Sequence, residues 1–354
     1  MRIGLIAPPW IPVPPPAYGG LEAVVDNLAR GLAARGHEVR LFTVGESTCP
    51  VTRRHLYEEA VAPIGDVVHE LTQALAGYDA LADVDIIHDH TVAGPLLAAA
   101  HRSAPPVVTT IHSPFTPAVR RIVAEAARHA ATVAISHAQA RTAGPAPITA
   151  VIPHGVDVNF YRPGPGGGGY VLFIGRMCAD KGVHRAIQIA HRAGRRLIVV
   201  AKMREADEYA YCEREVRPLL DADVELRIES TAAERLRLLR HADALINPIG
   251  WPEPFGLVMA EALACGTPVL AFSRGAAPEI VESGRTGYLC ADDVAMVTAL
   301  DRVPDIDRRA CRSAAVHRFS LHRMARDHET LYHTLLTDHR PTRPARPLVT
   351  GRAT

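Results

Sequence analysis

Short apolar, β-rich runs alternate with longer helix-spaced patterns along almost the whole chain, and one proline- and glycine-rich break divides them. Before the break the runs are IGLIA (3–7), EVRLFTV (38–44), VDIIH (84–88), VVTTI (107–111), TVAIS (132–136) and ITAVI (148–152). After it they are YVLFI (170–174), RLIVVA (196–201), VELRI (224–228), DALINP (243–248) and PVLAF (268–272). Between the first two runs, Leu21, Val24, Val25, Leu28 and Leu32 recur at helical spacing, and Gly36 stops the pattern. Parallel strands need long crossover connections, and helices of this length supply them. The repetition predicts an α/β protein built on parallel sheets with helices on both faces.

The break, YRPGPGGGG (161–169), cannot sit inside a core element and reads as a linker. One domain with a glycine-rich surface loop is the simpler alternative. Two doubly wound, Rossmann-like domains facing across a cleft fit better, because each half has strands enough for its own sheet. We expect a first domain at 1–160, a second at 170–315, a C-terminal helix at 316–337 crossing back to the first domain, and a disordered tail at 338–354. That tail is rich in proline and arginine, and a basic tail can touch anionic lipid as a peripheral membrane contact.

Composition excludes several classes. Formal net charge is +1, so charge alone gives no reason to expect nucleic acid as a partner. No run of eighteen apolar residues exists, and the N-terminus reads as a first strand rather than a signal peptide. The six cysteines form no C-x-x-C pair and read as reduced thiols, so a cytoplasmic location is expected. Of 39 basic residues, Lys181 and Lys202 alone are lysine.

Chemistry concentrates after the strand DALINP. There EPFGLVMAE (253–261) sets Glu253 in a loop at the C-terminal edge of a parallel strand and starts a helix near Gly256 and Leu257. That edge is where open α/β sheets bind ligands. Free first-turn amides and the positive helix end favour a phosphate, and Gly256 removes the Cβ that would block its approach. Carboxylates at Glu253 and Glu261 can accept hydrogen bonds from sugar diols on either side. The stretch FIGRMCADKG (173–182) places Arg176 and Lys181 in another strand-to-helix loop, where two cations can clamp a diphosphate.

EPFGLVMAE followed by ALACGTPV resembles the E-x7-E signature of retaining glycosyltransferases, specifically glycosyltransferase family 4 with its two-domain GT-B architecture. The resemblance covers residues 1 to about 335. It implies that Glu261 holds donor ribose hydroxyls and Glu253 the hydroxyls of the transferred sugar. The amides of Gly256 and Leu257, next to Phe255, would take the distal phosphate. Arg176 and Lys181 would neutralise the leaving diphosphate, Gly19 and Gly20 would set bare amides against it from the first domain, and His112 would sit near the reacting carbon. The implied activity is transfer of a hexose from a UDP- or GDP-sugar to an acceptor hydroxyl, with retention, no cofactor and no metal.

Other features weigh against rivals or stay open. PPWIPVPPPAYGG (8–20) is too long and proline-stiffened for a dinucleotide turn, which argues against a nicotinamide oxidoreductase. A nucleotide-sugar epimerase of similar fold, or a non-catalytic nucleotide-sugar-binding protein, remains an alternative. The D-x-D triplets at 83–85, 221–223 and 305–307 read as solvated turns. DIIHDH (85–90) puts His88, Asp89 and His90 at a strand end, where they can reach acceptor or sugar. His154 stands where the family more often has Asn. The roles of His88, His154 and Lys202, and the acceptor itself, are left open.

Overall fold

A computed structural model describes residues 1–17, 19–99 and 105–338. The apolar runs of the first half become β1 (Arg2–Ile6), β2 (Glu38–Thr43), β4 (Ile86–Asp89), β5 (Val107–Ile111), β6 (Ala130–Ala134) and β7 (Ala150–Val151). Two strands, β3 (Thr52–His55) here and β13 (Gly287–Cys290) in the second half, have no counterpart among the expected runs. The sequence of β3, TRRH, is exposed at all four positions and carries no alternation, so pairing with β2 at the sheet edge, not side-chain burial, makes it a strand. All pairs are parallel, in the order β3-β2-β1-β4-β5-β6-β7.

The second half repeats the pattern with β8 (Val171–Arg176), β9 (Leu197–Lys202), β10 (Val224–Ile228), β11 (Ala244–Asn247), β12 (Val269–Phe272) and β13 (Gly287–Cys290). Its order is β10-β9-β8-β11-β12-β13, again parallel throughout. In both sheets the winding direction reverses beside the first strand. That leaves a crevice at the strands' C-terminal ends, the usual ligand position in doubly wound sheets. Strands such as ALIN and VLAF are buried at every residue, as expected where helices cover both faces.

The first sheet is covered by α1 (Gly20–Ala34), α2 (Val67–Ala80), α3 (Pro117–Ala126) and the short α4 (His137–Ala140). The second carries α5 (Val183–Arg192), α6 (Ala206–Tyr211), α7 (Ala232–His241), α8 (Leu257–Ala264), α9 (Ala277–Ile280), α10 (Asp293–Leu300) and α11 (Arg308–Phe319). A last helix, α12 (Leu321–Asp338), crosses back to the first domain, where Met324, Ala325 and Tyr332 join the core of Ile3, Leu5, Leu28 and Ile86. The crossing is close: a Cβ at Gly31 of α1 would stand 2.8 Å from the Ala325 Cβ.

The C-terminal segment expected as one helix is two. Ser320 between them is extended, and the amides of Val156 and Leu321 bond the carbonyls of Phe319 and Val156 at 2.7 and 3.0 Å. This bridge ties the crossover near residues 153–157, and Arg323 donates to the carbonyls of Pro153 and His154 at 2.6 and 2.9 Å. Of the tail expected at 338–354, residues 339–354 lie outside the described residues. No described helix is long and apolar enough to cross a membrane, and all six cysteines are free thiols.

Candidate active site

Between the two sheets lies a cavity of about 650 Å³, lined from both domains. Two helix starts converge on it. α1 begins at Gly20 and α8 at Leu257, and neither N-terminus is capped by a side chain. They nearly touch, since a Cβ at Gly20 would lie 3.6 Å from the Leu257 side chain. Gly19, Gly20, Gly256 and Leu257 all line the cavity. Two positive helix ends aimed at one space make a strong anion site. Gly256 is required as built: its φ is +98°, and an added Cβ would approach the Met259 methyl at 2.6 Å.

Glu253 and Glu261 line the same cavity. Glu253 is held from below, its carbonyl accepting from the Ala276 amide at 2.9 Å, while Arg274 fixes the same loop through the Gly250 carbonyl at 2.6 Å. Its carboxylate is ion-paired with Lys181, whose ammonium also lies 5.6 Å over the Trp251 ring. Glu261 accepts the Tyr161 hydroxyl, and burial pushes its carboxyl above the usual range.

Arg176 behaves differently. It is absent from the cavity lining, and its guanidinium stands 4.0 Å from Glu208. Lys202, left open by the sequence, is the second cation on that carboxylate, at 3.5 Å. Buried Glu208 in turn accepts the amides of Arg204 and Glu205 at the start of α6, at 2.7 and 3.2 Å.

The histidines form a stack. His112, just past β5, lines the cavity with its ring stacked on that of His154, centroids 5.1 Å apart. Its Nε2 lies 3.0 Å from the Nδ1 of His90. Burial pushes His112 down to about 3 and His90 and His154 well below their usual value, so all three are neutral. Phe255 also lines the cavity, though it is largely buried between His154 and Phe319, at 5.1 and 5.9 Å. His88, Asp89 and His90 do not line the cavity. His88 is fully buried, bonded to Tyr332 at 2.7 Å and Thr110 at 2.8 Å, and Asp89 accepts from Tyr78 and Thr91. Strands β4 and β5 end side by side, but the Asp89 side chain turns into the core.

Among the lining residues that the sequence does not single out are Tyr161, Arg235 and Trp251. Tyr161 reads in sequence as part of a linker, and its aromatic ring at the head of a proline–glycine run is the single signal it offers. Arg235 is one arginine among many. In the structure it donates to the Ser230 carbonyl at 2.6 Å and, across the cleft, to that of Ala17 at 3.2 Å. Trp251 opens the loop of Glu253, so its position is its one legible feature. Among the described residues no cluster of three or more His, Cys, Asp or Glu could hold a metal ion.

Two parallel-sheet domains closing on one cleft, with phosphate-type helix ends on both walls, define the GT-B class of glycosyltransferases. Comparison agrees: the model of Glycosyltransferase Family 4 matches residues 18–160, and that of Glycosyl transferases group 1 matches residues 168–304. The chain belongs to glycosyltransferase family 4 and is an enzyme that transfers sugar. A glycogen synthase of Mycobacterium tuberculosis is 28% identical, covering 90% of this chain and 89% of its own. The crystal structure of AviGT4, a glycosyltransferase involved in avilamycin A biosynthesis, is 27% identical with a TM-score of 0.70, covering 95% of this chain and 98% of that one. HepE from Anabaena, solved with UDP-glucose, shares the fold at 20% identity and a TM-score of 0.75, covering 94% of this chain and 99% of its own.

Proposed function

We propose that the protein is a retaining glycosyltransferase that moves a hexose from a nucleotide-diphospho-sugar to an acceptor hydroxyl. The observation that carries this reading is the convergence of two uncapped helix starts and two carboxylates on one cavity. The starts of α1 and α8, with Lys181, meet the diphosphate. Glu261, steadied by Tyr161, takes the ribose hydroxyls, and Glu253 the hydroxyls of the hexose. Arg176 joins the clamp by turning from Glu208 as the donor binds. A UDP-, GDP- or ADP-sugar fits this description, and solved relatives hold UDP-glucose and ADP.

The acceptor oxygen attacks the anomeric carbon from the face the phosphate leaves, the bond from that carbon to the phosphate oxygen breaks, and the acceptor proton passes to a phosphate oxygen. Charge on the departing nucleoside diphosphate is met by helix ends and cations, and preorganised groups of this kind stabilise a transition state more than any other device in such a site. Neutral His112 adds no positive charge beside the carbon where positive charge develops. No organic cofactor enters these steps, and none of them requires a divalent ion.

Thermal-shift screening against UDP-, GDP- and ADP-sugars tests donor binding, because a ligand held by the native state raises its melting temperature. NMR of the first-formed product with a positive donor then reads the anomeric configuration, with and without EDTA. Inverted product overturns retention, and loss of transfer in EDTA overturns the metal-free clamp.

A further inference from the structure

We propose that a crevice on the second domain, separate from the interdomain cavity, binds the phosphate group of a small anionic ligand. The crevice encloses about 380 Å³, and none of its lining residues lines the interdomain cavity. Three arginines reach it from two elements. Arg185 and Arg192 lie two turns apart on one face of α5, and Arg274 follows β12. The guanidinium groups of Arg185 and Arg274 each lie 5.8 Å from the ring centroid of Phe272, the last residue of β12.

The carboxylates at the crevice are already engaged. Asp292 caps α10, accepting the Ala295 amide at 2.9 Å, and Asp293 faces Arg192 at 3.9 Å. Among the described residues, neither Arg185 nor Arg274 has a carboxylate within ion-pair distance. Arg185 is half-buried, so its charge has lost part of its water without gaining a counter-ion. Like charges brought to one concave space repel, and an anion set between them turns that repulsion into attraction. Phosphate has the matching shape, since its oxygens take the paired N–H groups of a guanidinium fork.

Arg274 connects the crevice to the candidate active site. One of its nitrogens donates to the Gly250 carbonyl at 2.6 Å, and the Ala276 amide, two residues on, donates to the Glu253 carbonyl at 2.9 Å. The remaining guanidinium N–H groups of Arg274 have no acceptor among the described residues. An anion can therefore engage them without breaking the bond to Gly250. A ligand in the crevice restrains the loop that carries Glu253.

The test is thermal unfolding of the full-length enzyme with inorganic phosphate or glycerol 3-phosphate, ionic strength being held constant with sodium chloride. Wild type and Lys181→Ala should both gain about 2 °C or more in Tm at about 10 mM ligand, because a ligand held by the native state stabilises it. Arg185→Ala should lose most of that gain, as should Arg185→Met, which keeps an apolar stem beside Phe272. A larger gain from the ester assigns a phosphorylated metabolite, and an equal gain assigns the free ion. Amide exchange at Gly250, Trp251 and Glu253 should slow with ligand in wild type and Lys181→Ala, and stay unchanged in the Arg185 variants. No gain in wild type, or an undiminished gain in a folded Arg185 variant, overturns the site. A gain that disappears in Lys181→Ala puts the phosphate in the interdomain cavity and overturns it too. A gain without slowed exchange overturns the link to the Glu253 loop.

Discussion

Lys181 and Glu253 grip one another, and that pairing decides what each substitution does. In the proposed reaction the donor draws the ammonium toward phosphate and leaves the carboxylate for sugar hydroxyls. Glu253→Gln frees Lys181 without emptying the site, so calorimetry should show UDP or GDP binding several-fold tighter while kcat for transfer falls about 10²-fold or more. Weaker nucleotide binding in that variant would show that the pair does not compete with phosphate. A second residue prediction concerns Glu22, whose burial just inside α1 pushes its carboxyl up to about 7 from 4.5. Between those values the native protein holds a proton that the unfolded chain has released, so stability falls as pH rises from 4.5 through about 7. Glu22→Gln should therefore add about 1–3 kcal/mol at pH 8 and little near pH 4.5, read by urea unfolding. An equal gain at both pH values would rule this out. Glu253, Glu261, Lys181 and His112 were legible because a strand followed by a loop followed by a helix fixes where residues fall. Glu208 as the partner of Arg176 and Lys202 was not, because that meeting joins β8, β9 and α6 across the fold.

Elements place these side chains, and α8 shows how. Met259, Ala260, Ala262, Leu263 and Ala264 are all buried, and the helix packs against α11, so burial rather than surface charge sets its axis. Its start is then aimed by Gly256 alone, with no side-chain cap to adjust it. Gly256→Ala must bring a Cβ into a left-handed backbone at φ +98° and against Met259. The expected cost is about 1–2 kcal/mol from backbone strain. Donor KM should rise together with a fall in kcat, since the Leu257 amide turns from the phosphate. Unchanged kinetics would show that α8 is positioned by its packing and not by its first residue. The elements missed in sequence share a cause. β3 has no apolar residue, and β13, GYLC, follows a turn-rich stretch after α9, so neither carries periodicity. The break at Ser320 is likewise invisible locally, because the Val156 segment that causes it lies far away in sequence.

At the scale of the molecule, the two domains are joined at two places of different kind. On the crossover side, α12 is packed into the first core, and its Arg323 donates to the carbonyls of Pro153 and His154 at 2.6 and 2.9 Å. On the cleft side, beside the ring contact of His154 with Phe255, there are polar ties. Glu279, at α9 of the second domain, accepts the backbone amides of His137 and Ala138 at the start of α4 in the first. Arg235 reaches the Ala17 carbonyl as well. A carboxylate bound to two helix-start amides is well matched in charge, yet it is one side chain on a partly exposed contact. Apolar packing at the crossover and a removable polar tie at the mouth make a natural hinge and clasp. Glu279→Ala deletes the clasp while leaving both cores whole. Its melting temperature should stay close to wild type, its radius of gyration in X-ray scattering should increase, and saturating donor should reverse the increase. Donor KM should rise about three- to tenfold, because part of the binding energy now closes the domains. A variant with wild-type dimensions and wild-type KM would mean that the crossover contacts alone hold the two domains together.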